Sequence, residues 1–571
     1  MKNIIKCDLC VIGGGMAGLS TAISAARHGV KVVLVQDRNV LGGNASSEIR
    51  MWIRGASSQF PEYAEGGLVE ELALDNMHYN PQMNFHLWDG VLYNKVVSEK
   101  NITYLPGTTC IDAEEENGKI KNITVWELAT YKKHVIEADY FADCSGDCVL
   151  AEFTSAKFMQ GRESKEAFSE EYAVEQADKC TMGNSCMLQL RKTDKEIPHT
   201  PFPFEREDID ELLKKRVTLS KEGYETQNFW WLELGGNKDA LKDAREINKE
   251  LLSTNFAVYS KVMEKTKDAQ QKWTLDWIGF LAGKRETRRY VGEYVMTAND
   301  VEKGTEFPDE IAYGGWPMDD HDPKGLYAES ANRNIYPKAP YAIPYRALYS
   351  KNIENLFFAG RNISATHMAM SSTRVMATCS MMGQAVGVAC SVAKKYGVSP
   401  KGVGAYIDEV QQTLLKDDCY LLHTERKAFI KGFGKERNLG EKNEVKTLKV
   451  GERLEFVFPK TQCEKIRLVF DSDLTRSYIG EEKGFLGFNL RRYPMLAYSA
   501  QGEVMMHTPP SLVKEYRLQV KKNGVWEELE TKENFNRLVF LDVDAEIEGV
   551  AFTGLSTYGD ENIRLFSLDV V

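Results

Sequence analysis

A glycine-punctuated turn at residues 13–18 constrains this chain more than any other feature. The preceding run, CDLCVI at 7–12, is short and mostly apolar, as suits a strand buried in a parallel sheet. GGGMAG breaks it, LSTAISAARHG at 19–29 continues with helical periodicity, and VKVVLVQDR at 30–38 returns to a β-branched strand. Together they make one βαβ unit of the expected size. Within it, Gly13-x-Gly15-x-x-Gly18 has a physical reading. Gly13 permits the tight turn, Gly15 lets backbone N–H groups approach a pyrophosphate, and Gly18 allows close helix–strand packing. The helix N-terminus adds unpaired donors and a positive dipole end. An ordinary glycine-rich turn explains the glycines but not the complete strand–turn–helix–strand context.

Dinucleotide sites of this kind usually carry an acid at the end of the second strand. Here that position is Gln36, followed by Asp37 and Arg38. The Gln36 amide can hydrogen-bond a ribose hydroxyl, and Asp37 can do so after a small register change. A 2′-phosphate would be poorly received beside Asp37, although Arg38 offsets that argument.

Five stretches carry a family resemblance: VVLVQDRNVLGGNASSEIR, FADCSGDCVLAEF, GKRETRRYVGEYVMTAND, GGWPMDDHDP, and IPYRALYSKNIENLFFAGRNISATH followed by STRVMATCSMMGQAVG. In this order they resemble the FAD-dependent oxidoreductase family of the glutathione-reductase/fumarate-reductase-like superfamily. The resemblance implies an FAD cofactor. It implies that Gly42, Gly43, Asn44 and Ser46 border the ribityl-phosphate side. Asp143, Gly146 and Asp147 match the family's D-x-(T/S)-G-D segment. GKRETRRY matches its Arg-rich helix.

The later motifs also have their own rationale. A strand ending at Gly360 lets a backbone N–H reach ribityl or pyrophosphate oxygens, and Arg361 adds a charge-assisted bond. A helix beginning near Ser372 would aim its N-terminus at the flavin edge where negative charge accumulates on reduction. A plain core helix explains the small residues of that stretch but not the preceding AGR. Arg285, Arg288 and Arg289 lie at i, i+3 and i+4, so on a helix they share one face. That face is either a clamp for a substrate carboxylate or the flavin edge, or a solvated, salt-bridged surface. His321 and His367 are candidate general acid/bases, with His367 the better placed after the flavin motif. Random histidines are more often structural. Glu48 and Arg50 are candidates for the substrate side.

At 571 residues the chain calls for two or three domains. The expected architecture is α/β: a split Rossmann-like FAD-binding domain from 1–160 and 340–400, with an inserted α+β substrate domain at 161–339. A helical connector at 401–445 follows, then a β-sandwich or jelly roll, discoidin-like, at 446–571. Its short strands are LEFVFP, KIRLVFD, EYRLQV, RLVFLDV, GVAFTG and RLFSLDV. Such a module either binds carbohydrate or simply packs against the catalytic part.

Lys+Arg total 72 against 83 Asp+Glu, so nothing draws the whole chain to nucleic acid or anionic membrane. No uninterrupted apolar run is long enough for a membrane span. The opening residues leave no room for a signal peptide, so a cytoplasmic protein is expected. The eleven cysteines suit reduced thiols. Cys7-x-x-Cys10 lies in a strand, where residues three apart face opposite ways, so the two do not pair. No paired zinc spacing occurs, and no metal site is expected.

The expected chemistry is hydride transfer between flavin N5 and a small polar substrate, anionic or sugar-derived, with an unidentified electron acceptor. A flavin monooxygenase or amine oxidase is the first alternative. A carbohydrate-binding protein with a non-catalytic flavin domain is the second.

Overall fold

The computed structural model describes residues 3–214, 229–268, 272–427, 431–433, 446–474, 494–496 and 505–571. Its centre is the expected βαβ unit: β1 (Asn3–Ile12), α1 (Met16–Arg27) and β2 (Val32–Val35). All four residues of β2 are buried, as the continuous apolar run requires of a strand covered on both faces. The chain then forms α2 (Leu68–Tyr79), α3 (Phe85–Val97), β3 (Ile102–Leu105) and three antiparallel-linked strands, β4 (Thr108–Glu116), β5 (Lys119–Glu127) and β6 (Lys132–Asp143). The sheet order is β3-β2-β1-β6-β5-β4, and β1, β2, β3 and β6 run parallel. More than two hundred residues later, strand Leu356–Phe358 returns to pair in parallel with β6. One sheet therefore takes strands from both the N-terminal part of the chain and the region near 356.

Helix Met376–Tyr396 lies against α1 at very short range. A Cβ on Gly383 would sit 2.1 Å from the Ala17 carbonyl oxygen, and Ser24 Oγ donates to the Gln384 carbonyl at 2.9 Å. Small residues are needed there because the two backbones nearly touch. Among the described residues this is the one helix long and apolar enough to cross a membrane, yet 89% of its apolar window is buried in the core.

A second, smaller hydrophobic core lies in the inserted region. Helix Ala244–Thr266, the charged periodic stretch of the sequence, buries Ile247, Leu251 and Val258 against Leu188, Leu190 and Trp273. Those last three sit on the antiparallel strands Leu188–Thr193 and Lys272–Ile278. The Arg-rich segment departs from expectation. It is not a helix but two short strands, Gly283–Lys284 and Arg288–Tyr290, pairing with Asn184–Ser185 and Phe158–Gln160. Tertiary pairing overrides the helical spacing of its arginines.

Residues 401–416 pack onto the core as a 3₁₀ turn and helix Ile407–Lys416, with Val410 and Leu414 buried. The basic, glycine-punctuated remainder of the expected connector lies almost wholly outside the described residues. Beyond it, the described strands form one antiparallel sheet. Two pairs of expected short strands are single long ones: Arg453–Phe470 and Leu538–Thr557, which pair with register shifts between Val457 and Thr461 and between Cys463 and Lys465.

Candidate active site

The C-terminal ends of β1, β2 and β6 open into a cavity of about 800 Å³ that continues beneath the inserted region. This is where ligands bind in open parallel sheets, outside the carboxyl ends of the strands.

Its first half is a trench. Gly13 has φ +97°, and a Cβ there would lie 2.7 Å from the Cys144 carbonyl oxygen, so the turn admits only glycine. A Cβ on Gly18 would lie 1.8 Å from the Gly13 carbonyl oxygen, which is the close helix–turn packing expected. Above Gly15 the nearest atom is 3.8 Å from the Cβ position, so the trench is open at the N-terminus of α1. Gln36 is spent on the backbone: its Oε1 accepts from Gly14 N–H at 2.7 Å and its Nε2 donates to the Val40 carbonyl at 3.0 Å. It fixes the shape of the turn, leaving the more exposed Asp37, 3.8 Å from Arg38 Nε, as the acid at the rim. Arg38 lines the same rim and reaches Glu48 at 3.3 Å.

Gly42, Gly43 and Asn44 line the trench, but Ser46 turns inward and donates to the Gly43 carbonyl at 2.7 Å. Asp143 also lies behind the wall. It accepts from Ser145 and Leu150 N–H and from the Tyr290 hydroxyl at 2.6 Å, knotting the loop that carries Gly146 and Asp147. Burial raises its pKa above the ordinary value. Asp147 faces the cavity between Lys284 and Arg361, with Arg361 Nη2 at 2.6 Å. Burial works against its charge, but the two cations prevail and hold its pKa at about 2. Gly360, at φ +107°, and Arg361 close the trench on the far side. The helix expected near Ser372 begins instead at Met376, because Ser372 and Thr373 end a separate helix, His367–Thr373. Met376 nonetheless lines the cavity.

The second half is a chamber walled by Trp52, Trp230, Trp316 and Tyr336 with Arg54, Arg285, Arg374, Asp319 and His321. Strand Met318–His321 explains part of this set. Side chains alternate along a strand, so Asp319 and His321 face the chamber while Asp320 faces away. His321 Nδ1 lies 2.5 Å from Glu233, and Nε2 lies 3.1 Å from Asp319. Burial opposes its protonation, but Glu233 and Asp319 outweigh it and raise the pKa. Arg374 donates to Asp319 Oδ2 at 3.2 Å. Arg285 donates to the Gly183 and Trp230 carbonyls and to Ser185 Oγ, with Glu233 at 3.5 Å.

The other candidates fall behind the chamber wall. Arg288 pairs with Glu152 at 2.7 Å and stacks on Phe158, away from the cavity. Arg289 is fully buried among Glu163, Glu286 and the Ala365 carbonyl. Arg50 lies 4.3 Å over Trp277, with burial lowering its pKa to about 10. His367, placed ahead of His321 by the sequence, does not line the cavity. Its Nδ1 lies 2.8 Å from Glu286 and its Nε2 3.0 Å from Asp320, behind the Asp319–His321 face. Burial opposes its charge, yet those carboxylates raise its pKa to about 10. A pKa raised on folding stabilises the fold fully below the ordinary value of about 6.5, and that contribution is lost as pH climbs through about 10. Melting temperatures at pH 6, 8 and 10 should fall across that window in the wild type, with a flatter profile in His367→Gln.

Trp230, Trp316, Glu233, Lys284, Arg54 and Arg374 were not singled out in the sequence. Arg374 had a signal, as the lone cation just before the last flavin-motif helix. Lys284 and Trp316 lie within quoted motifs, beside Arg285 and ahead of His321, while Arg54, Trp230 and Glu233 lie outside them.

The donor set fits FAD. Glycine N–H groups and a helix N-terminus face the trench, and Arg361 Nε is buried there without a hydrogen-bond partner. Trp316 Nε1, Arg374 Nε and Ser58 Oγ are in the same condition further along the cavity wall. Buried donors of this kind imply a ligand that supplies acceptors.

Over 64 residues the chain is 41% identical to glycerol-3-phosphate dehydrogenase of Mycobacterium leprae and to glycerol-3-phosphate dehydrogenase 2 of Mycobacterium tuberculosis. That stretch covers 11% of this chain and only 11% of each relative. Among solved structures, OxyS anhydrotetracycline hydroxylase from Streptomyces rimosus is 10% identical with a TM-score of 0.33, covering 72% of this chain and 67% of that one. E. coli quinol fumarate reductase FrdA is 13% identical with a TM-score of 0.27, covering 72% and 77%. A family described as FAD dependent oxidoreductase matches residues 8–414, most of the chain. With the glycine trench and its orphaned donors in place, that match makes this chain a member of the FAD dependent oxidoreductase family.

Proposed function

We propose that the enzyme transfers a hydride to or from one carbon of a small, hydroxylated, anionic molecule such as a sugar acid. The observation that carries this reading is the pair of buried, unpartnered donors Trp316 Nε1 and Arg374 Nε on the chamber wall. Neither group can accept a hydrogen bond, so a substrate that brings oxygens to both would satisfy them. Arg374 and Arg54 give those oxygens reason to be anionic. The indole faces of Trp230 and Trp316 suit the apolar C–H face of a polyhydroxylated chain or ring.

Bound FAD supplies the two-electron chemistry. The protein's part is to orient the reacting carbon and manage a proton. Arg285, fixed by three hydrogen bonds, holds the floor of the chamber rigid. Glu233 and Asp319 favour the protonated ring of His321 and raise its pKa above the ordinary value. A substrate oxygen that displaces Asp319 from Nε2 meets that proton in the reductive direction, and the neutral imidazole takes it back in the oxidative one.

The test is anaerobic mixing of the holoenzyme with panels of hydroxy acids, aldonic and uronic acids, neutral sugars and primary amines, followed by flavin absorbance. Anionic hydroxylated compounds should bleach the flavin, at least about tenfold more efficiently than their neutral counterparts. Bleaching by amines or neutral sugars alone, or turnover that requires a nicotinamide and oxygen together, would overturn the proposal.

A further inference from the structure

Residues 51–54 form one wall of the chamber, and their side chains divide. Met51, Trp52 and Arg54 line the cavity, while Ile53 is fully buried on the other side. Two anchors hold this segment. From the flavin domain, Ala377 N–H in the first turn of helix Met376–Tyr396 donates to the Arg54 carbonyl at 3.0 Å. From the opposite side comes a piece of the C-terminal region. Ile53 N–H donates to the Met495 carbonyl at 3.3 Å, and Met495 and Leu496 are both buried.

Asn76, at the end of α2 and fully buried, fixes that piece in turn. Its Nδ2 donates to the Pro494 carbonyl at 2.8 Å and lies 3.4 Å from Met495 Sδ, while its Oδ1 accepts from Asn80 at 2.8 Å. Further contacts clamp α2 to the same region. Phe535 stacks on His78 with ring centroids 4.0 Å apart, and Met506 N–H donates to the Pro81 carbonyl at 2.6 Å. At the start of α2, Gly67 N–H donates to the Asp418 carbonyl, whose carboxylate takes Arg537 at 2.6 Å.

We infer that the C-terminal β-region is a working part of the active site: through residues 494–496 and the positioning residue Asn76 it sets the chamber wall that carries Trp52 and Arg54. This rests on the cavity being the site of reaction. A separable binding module needs no buried polar link to the catalytic part. Here the wall residue Ile53 bonds the Met495 carbonyl, and the fully buried amide of Asn76 holds the adjacent Pro494 carbonyl from α2.

The experiment compares hydrogen exchange in the FAD-loaded wild type, Met495→Ala, Asn76→Asp, the conservative Met495→Leu, and Val525→Ala as an exposed control in the same region. Exchange at residues 49–59 should quicken about tenfold or more in Met495→Ala and Asn76→Asp. Helix α1 and strand Leu538–Thr557 should keep their wild-type protection, and Met495→Leu should restore the wild-type rate. Visible circular dichroism of the bound flavin should change in the two disruptive variants, because the same segment is tied to the first turn of helix Met376–Tyr396. Unchanged exchange at 49–59 in both variants would overturn the inference. So would a rise spread evenly over α1, residues 49–59 and the C-terminal strands, which marks loss of general stability alone.

Discussion

Gly18→Ala is expected to yield a colourless protein. The added methyl would lie 1.8 Å from the Gly13 carbonyl oxygen and 2.9 Å from its carbonyl carbon, both backbone atoms that cannot rotate aside. Relief requires α1 to withdraw from the turn, but α1 is blocked behind by helix Met376–Tyr396, where Gly383 meets the Ala17 carbonyl at 2.1 Å from its Cβ position. Overpacking of this kind costs about 1–3 kcal/mol and displaces the backbone. A displaced helix N-terminus no longer presents its N–H groups to the pyrophosphate. Flavin affinity should fall by about a hundredfold or more, read as the ratio of flavin to protein absorbance and by titration with added FAD. Gly15→Ala gives the instructive contrast. Its methyl enters open trench, so the fold should melt near the wild-type temperature while FAD is still excluded. Retention of wild-type flavin content in Gly18→Ala would contradict the assigned packing.

His321→Asn should keep its flavin and lose about 10²–10⁴ in the rate of flavin reduction by substrate, the range for removing a positioned acid–base group. The fold should survive because Glu233 and Asp319 retain Arg285 and Arg374 as counter-charges. The pH profile carries the sign. With the His321 pKa raised, the oxidative direction needs the neutral ring and its rate climbs only as pH passes that raised value. The reductive direction uses the protonated ring and declines over the same range. His321→Asn should show neither limb. A variant with wild-type rate and profile would assign His321 to structure alone.

How much of this was legible in the sequence depended on whether the signal was local. The βαβ unit was, because its three glycines, its helix and both strands fall within thirty-odd consecutive residues and each obeys its own period. Gly360 and Arg361 were legible for the same reason. Arg285, Arg288 and Arg289 misled because their spacing satisfies a helix. Their fate was decided by strands 184–185 and 158–160, about a hundred residues or more away in sequence. As a result one arginine faces the chamber and two serve the frame behind it. The two histidines reversed order because the alternation of strand Met318–His321, visible only once the segment is known to be a strand, turns His321 inward. His367 is turned by its helix onto the far side of the same strand. Gln36 was read as a ribose ligand because its position was correct. Its amide instead serves the glycine turn, which no one-dimensional pattern records. Trp230, Trp316 and Arg374 converge from three separate segments, so only the folded chain assembles them.

The most direct test is the visible absorption spectrum of the purified wild-type protein, before and after acid release of its chromophore. Bands near about 370 and 450 nm that leave with the supernatant as FAD are the expected result, since the cavity offers the glycine turn, helix N-terminus and unpartnered Arg361 Nε that suit such a cofactor. A colourless protein that also fails to take up added FAD would contradict the assignment of the cavity and everything built on it.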